Sequence, residues 1–559
     1  MTHTSPGARS LLAFVLVFML TWSASAHATL SEVLRDRVEA LAVEPRVASA
    51  GIADPWLLTR LYERREFNPA WDDPERRKSL LEVIAGSASH GLDPDDYHQA
   101  ELALLHAAVS ENADRRKRTE FDLLATDALA RLAFHLRFGK VNPERLETSW
   151  NFSRSLEGRD PVSILDRIVR SDDLGRALAA LAPREPRYTA LVETLAELRE
   201  TAAAGGWPTV AAGETLRPGM QGARVAQLRR RLVAGGALAA DAHEAYDAAE
   251  DAYDASLERA VRALQARHGL DADAIVGPRT LAALNVPVER RIDQVRVNLE
   301  RVRWVFRDLD SRYIISNIAR FRATLIEDGE PVWSTRAVVG RPYRQTPVFR
   351  ARMTYLVFNP TWTVPPGILA RDLLPEIRLD PDTLARRNMS VLDRNGGRID
   401  PTTIDWATIP ARGFPYMLRQ EPGPDNALGR VKFMFPNRHH VYMHDTPARD
   451  LFDRTERAFS SGCIRLENPM DLARILLADN PAWDQNAIER TLRDGRERSV
   501  TLPRALTVLL IYATVVPEDG EVLYLADIYN RDQRLLEALD EDFVFTPPEG
   551  YRDALGVSL

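Results

Sequence analysis

Between residues 30 and 205 apolar side chains recur at helical intervals. Leu57, Leu58 and Leu61 make a short patch, and Leu123, Leu124, Ala128, Leu132 and Leu136 a longer one. Spacings of three and four place such residues on one helix face. The pattern predicts a mostly helical domain over 30–205. A linker rich in Ala and Gly follows, around 202–213. In 214–287, Val225, Leu228 and Leu232 share one helix face, and Leu257, Val261, Leu264 and His268 another. A third helix is predicted from Thr280 to Leu284, after the turn Val276-Gly277-Pro278.

From residue 290 the period changes. Arg290 to Phe306 reads as a helix; Tyr313–Ile318, Phe321–Ile326, Trp333–Val339 and Met353–Phe358 read as strands. A polar, proline-punctuated insertion, 366–430, opens with a helical run from Ile368 to Ile377. Strands resume at Val431–Phe435 and Val441–Met443; along the second, His440, Tyr442 and His444 are expected on one face. Val508–Val515 and Val522–Ile528 flank the hairpin signal Pro517-Glu518-Asp519-Gly520 and are expected to close the same sheet. The fold class is therefore α+β and multidomain: a helical domain (30–205), a three-helix domain (214–287), a mainly-β domain (290–535) with 366–430 inserted as a cap, and a tail (536–559).

At the amino end, Arg9 precedes the apolar run Leu11–Trp22, and Ala24-Ser25-Ala26 and Ala26-His27-Ala28 have the form of cleavage sites. Residues 1–28 are expected to be an export signal; an uncleaved anchor is the competing reading. No other run reaches membrane-spanning length, so no integral span is expected after cleavage. Composition adds an exclusion: 73 basic against 80 acidic residues, net charge −7, leave no basic footprint of a nucleic-acid binder.

The chain has one cysteine, Cys463. A lone thiol forms no internal disulfide, and most free cysteines are small buried hydrophobes. This one follows Ser460-Ser461-Gly462 and precedes Arg465, a polar setting that argues against a core position. His444 stands 19 positions upstream, at the end of a predicted strand. A thiol becomes a strong nucleophile when a histidine takes its proton. A Gly-Cys turn can also aim amides at an oxyanion. His440 and His444 lack further ligands nearby, so no metal is expected, and no cofactor.

His444, the spacer, then Ser460, Gly462, Cys463 and Arg465 resemble the signature of the L,D-transpeptidases with the YkuD-type catalytic fold. Ser461 stands where many members carry a second histidine, which resembles the large periplasmic YcbB-like branch. Gly340 to Pro347 and Asn359-Pro360-Thr361-Trp362-Thr363-Val364-Pro365 resemble two further elements of that catalytic domain. Phe67 to Trp71, Gly91-Leu92 and Gly139 to Pro143 resemble its scaffold domain, and 214–287 resembles a three-helix peptidoglycan-binding domain, apart from the acidic insert Asp241–Asp254.

The resemblance implies a periplasmic cysteine acyltransferase that joins peptidoglycan tetrapeptide stems, as donor and acceptor, into 3→3 cross-links, with other wall-synthesis proteins as further partners. Cys463 is then the nucleophile and His444 the base; Ser460, Ser461 and Gly462 form the oxyanion loop. Arg465, Trp362, Asn359 and Tyr442 contact substrate. Arg465 can instead hold the cysteine loop, and Trp362 can be core. No side chain is visible to orient His444; a backbone carbonyl would serve, ahead of Asp445. Two other readings stay open: a non-enzymatic wall-binding protein, and a thiol carboxypeptidase with water as acceptor.

Overall fold

The computed structural model describes residues 29–110, 114–239 and 251–556. The expected export signal and much of the acidic insert lie outside them. Among the described residues no helix is long and apolar enough to cross a membrane.

The helical domain is built around α1 (Arg115–Phe138). Asp114 caps it by accepting from the Lys117 amide, which satisfies one of the orphan donors of a helix start. Leu123, Leu124, Ala128, Leu132 and Leu136 are all buried in one core. Each of these leucines contributes about 1.5–3 kcal/mol by leaving water. A further helix, α2 (Pro186–Ala203), buries Leu191, Leu195 and Leu198 in a second core. The three-helix unit follows as α3 (Ala223–Ala234), α4 (Ala255–Arg267) and α5 (Pro278–Leu284), around its own core of Val225, Leu228, Leu232, Leu257, Val261 and Leu264.

The strut of the molecule is α6 (Val288–Val305). It packs on α2 and shares one apolar core with the back of the nine-stranded sheet described below, through Val295, Leu299 and Val302 with Tyr313, Ile315 and Leu509. Its polar anchors are buried: Glu300 pairs with Arg303 at 2.8 Å and accepts from the Val141 amide at 2.8 Å. Gly139 has φ +83°, and a Cβ there would stand 2.5 Å from Glu300 Oε1. Only glycine lets the chain come so close. Glu300→Ala leaves the Arg303 guanidinium buried without its charge partner. The expected loss is about 3–5 kcal/mol, measurable as a lower thermal midpoint; an unchanged midpoint would show that the pair is dispensable.

The mainly-β domain contains β1 (Arg312–Asn317), β2 (Arg322–Glu327), β3 (Glu330–Gly340) and β4 (Phe349–Phe358). The insertion holds β5 (Trp362–Thr363), β6 (Met389–Leu392), β7 (Arg398–Ile399) and β8 (Met417–Gln420). Then come β9 (Val431–Met434), β10 (Met443–His444), β11 (Ala458–Ser460), β12 (Ile464–Leu466) and β13 (Arg498–Ile511). Nine strands form one sheet in the order β11-β3-β12-β10-β9-β4-β13-β1-β2, and β2 also pairs with β3, so the sheet curls back on itself. The insertion makes a separate four-stranded sheet, β5-β8-β6-β7, with a core of Leu369, Leu373, Leu374, Ile377 and Trp406.

Three strand expectations need correction. The hairpin Val515–Glu518 and Glu521–Tyr524 forms its own two-stranded sheet. Its apolar residues pack into the α6 core instead of extending the nine-stranded sheet. The fourth strand starts at Phe349, because β13 pairs along its whole length. His440 does not share a strand face with His444: it sits in a turn at φ +54°. The tail is also structured, since Tyr551 is buried and donates to Asp54 of the helical domain at 2.6 Å.

Candidate active site

Register brings the site together. β12 pairs in parallel with β10, setting His444 opposite Arg465, and β9 sets Lys432 opposite the same histidine. Register partners point to the same face of a sheet. Lys432, His444 and Arg465 therefore form a row across three adjacent strands. Cys463 lies two positions before Arg465, just ahead of β12, and Tyr442 two positions before His444, just ahead of β10; strand alternation carried back by two residues places both toward that face. The Tyr442 and His444 rings meet edge to face, 5.6 Å between centroids. The Cys463 thiol donates to the His440 carbonyl at 3.8 Å, and Tyr442 acts on the sulfur by favouring its thiolate.

His444 is 4% exposed. Its Nδ1 stands 2.5 Å from the Asp445 carbonyl oxygen. A carbonyl only accepts, so Nδ1 carries the hydrogen and Nε2 keeps a free lone pair. The orienting group is thus the backbone of Asp445. Its carboxylate is turned elsewhere, accepting from the Arg430 and Thr446 amides at 2.8 Å and from Arg449. Gly429, at φ +61°, makes room for that carboxylate. Burial, aided by the charges of Arg465 and Lys432, pushes the His444 pKa down to about 3. The imidazole is neutral at physiological pH.

Cys463 is half-buried. Burial pushes its thiol above the ordinary value, although Tyr442 and Arg465 oppose that by favouring the thiolate. Thiol and imidazole are therefore both neutral at rest. Of the two states open from the sequence, this favours a histidine that takes the proton during attack over a standing ion pair.

The loop before the sulfur is tightly specified. Ser460 Oγ donates to the Cys463 carbonyl at 2.6 Å and accepts from the Gly462 amide at 3.0 Å. Gly462 has φ +117°, which favours glycine. The Gly462 N–H, expected to face an oxyanion, is thus already engaged. The Cys463 amide, like that of Ser461, has no acceptor among the described residues. Thr346 Oγ1 donates to the Gly462 carbonyl at 2.9 Å and accepts from the Gly340 amide at 2.9 Å. Tyr529 in turn donates to the Gly340 carbonyl at 2.5 Å.

Ser461 is exposed and accepts from Arg344 at 2.9 Å. The same guanidinium grips Asp372 of the insertion at 2.6 and 3.0 Å. Arg344 so ties the cap to the cysteine loop.

The expected substrate contacts separate. Trp362 packs, partly buried, against the core of the insertion, and Tyr442 lies edge to face with His444. Asn359 does not belong with them. Its side-chain amide donates to the Thr491 and Arg496 carbonyls at 2.8 and 3.2 Å, and the residue is 8% exposed. It fixes a turn, which its φ of +45° also requires. Lys432, Arg344, Thr346, Asp372 and Tyr529 were not legible as site residues. Thr346 alone carried a signal, within the Gly340–Pro347 loop.

Comparison with known proteins follows the same partition. Residues 57–195 match a scaffold domain, 221–284 a "Putative peptidoglycan binding domain", and 311–483 the YkuD L,D-transpeptidase catalytic domain. A curated Haemophilus influenzae protein described as "Putative L,D-transpeptidase" is 36% identical over 242 residues, 43% of this chain and 48% of its own length. The chain thus spans about half the length of that relative. Among solved structures, an L,D-transpeptidase from Xylanimonas cellulosilytica is 18% identical, with 54% of this chain and 99% of that one covered and a TM-score of 0.16. An L,D-transpeptidase from Mycobacterium smegmatis is 14% identical, with 36% and 58% covered and a TM-score of 0.17. Scores that low bear no weight here. The assignment rests on the domain matches: the chain carries a catalytic domain of the YkuD L,D-transpeptidase family, joined to a scaffold domain and a peptidoglycan-binding domain.

Proposed function

We propose that the protein is a cysteine L,D-transpeptidase that forms 3→3 cross-links between peptidoglycan stems. The observation that carries this reading is His444, neutral and pinned through Nδ1 to the Asp445 carbonyl, with Nε2 free on the sheet face that bears Cys463. In the first half-reaction Nε2 takes the thiol proton as sulfur bonds to the carbonyl carbon of the diamino-acid residue in a tetrapeptide donor. The Cys463 amide stabilises the oxyanion. As the intermediate collapses, the peptide C–N bond breaks, and the imidazolium returns its proton to the departing amine of D-alanine. A thioester remains. In the second half-reaction the side-chain amine of an acceptor stem attacks that carbonyl. A new amide forms, the C–S bond breaks, and one amine proton passes through His444 to the sulfur.

The cap, Trp362 and Tyr442 cover the sulfur and keep water from the thioester. Arg465, Trp362 and Tyr442 bind the stem, and Ser460, Ser461 and Gly462 shape the loop. The 214–287 domain attaches the enzyme to the wall, and 1–28 directs it to the periplasm.

The test is the intact mass of the native chain after incubation with a tetrapeptide stem. The expected adduct equals the donor less its last residue and maps to Cys463. An acceptor stem should then discharge it into a cross-linked dimer. A trimmed monomer as the sole product would assign hydrolysis instead, and no adduct at all would leave a wall-binding protein.

A further inference from the structure

Arg465 is a cation without a counterion. It is half-buried, its Nε is wholly buried without a hydrogen-bond partner, and no carboxylate pairs with it among the described residues. The acids beside it in sequence and beside its register partner are engaged elsewhere: Glu467 with Arg336, and Asp445 with Arg449. Its electrostatic neighbours are the Cys463 sulfur and a second cation, Arg341. Lys432 stands beyond His444 in the same row. A guanidinium withdrawn from water without a partner is costly. Such a group is retained where an anion arrives.

The thiol is not that anion at rest, since burial keeps it protonated. The oxyanion is an awkward match as well. The Arg465 backbone lies two residues beyond that of Cys463, about 6.6 Å at a strand's rise per residue. An anion there would belong to a group some bonds beyond the carbonyl under attack. In a donor cut before its last residue, the terminal carboxylate is such a group. A planar guanidinium suits it by offering two parallel N–H donors.

We infer that Arg465, with Arg341 behind it, is the receptor for the C-terminal carboxylate of the donor stem. This rests on the transpeptidase reading above. Arg465 positions the leaving residue and selects donors that end one residue past the scissile bond.

The experiment compares kcat/KM for Cys463 acylation with three synthetic tetrapeptides: the free acid, its C-terminal carboxamide, and the free acid with the diamino acid's side-chain carboxylate amidated. In the native chain the acid should exceed the carboxamide by roughly 10- to 150-fold, the range of a charge-assisted hydrogen bond. The difference should lie mainly in KM. The third donor should behave like the first. In Arg465→Gln the ratio of acid to carboxamide should fall toward one, and Arg465→Lys should keep part of it. The native comparison needs no variant, so misfolding of either substitution cannot obscure it. Equal rates on acid and carboxamide, or a ratio that survives Arg465→Gln, would overturn the inference. So would a loss confined to the third donor, which would place a different carboxylate at Arg465. Failure of every donor to acylate the native chain removes the parent reading, and this one with it.

Discussion

Cys463→Ala is expected to eliminate the acyl adduct and to lower cross-linking by roughly 10⁵- to 10⁶-fold, as removal of a nucleophile does in other covalent enzymes. The chain has no second cysteine to substitute. The exchange removes one sulfur from a half-buried site. Ser460 bonds the backbone of residue 463, not its side chain, so the loop should keep its shape. The thermal midpoint should therefore stay close to that of the native chain. An adduct of unchanged mass on the variant would assign the nucleophile elsewhere.

His444→Ala should cost about 10²- to 10⁴-fold in acylation, the usual contribution of a positioned general base. The pH dependence makes the prediction specific. His444 stays neutral down to about 3, against 6.5 for an ordinary imidazole. The native acid limb should lie well below 6.5, with a nearly level rate across the neutral range. Without the imidazole only the thiolate fraction reacts, so the variant's rate should rise about tenfold per pH unit through neutrality. A native acid limb near 6.5 would mean that the working histidine is not the buried one described here.

Stability follows the same group with a definite sign. The unfolded chain protonates His444 near 6.5 and the folded chain near 3. Protonation thus favours unfolding, and stability falls as pH drops from 6.5 toward 3. His444→Ala should remove that part of the acid sensitivity, measurable as thermal midpoints at pH 7 and pH 4.5.

Much of this was legible in the chain itself. Helical periodicity outlined the first domain, because Leu123 to Leu136 bury one stripe of a long helix. A single thiol after Ser-Ser-Gly, with a histidine upstream at a strand end, marked the candidate pair. What the sequence carries well is local: the periods of helix and strand, the glycine that a turn needs, and the chemistry a residue type allows.

Tertiary structure decided the rest, because pairing register and burial depend on residues far apart in the chain. Nothing local to Lys432 or Arg465 says that both flank His444 across three strands. Nor does the motif show that the Asp445 carbonyl, not its carboxylate, orients the imidazole. Asn359 looked like a ligand contact from its motif, yet its amide holds two carbonyls more than a hundred residues away. The Glu521–Tyr524 hairpin had the right pattern for a sheet strand, but its apolar face found the α6 core instead. The chain thus determined which residue types stand at the candidate site; the fold determined which charges surround them, and so their protonation state.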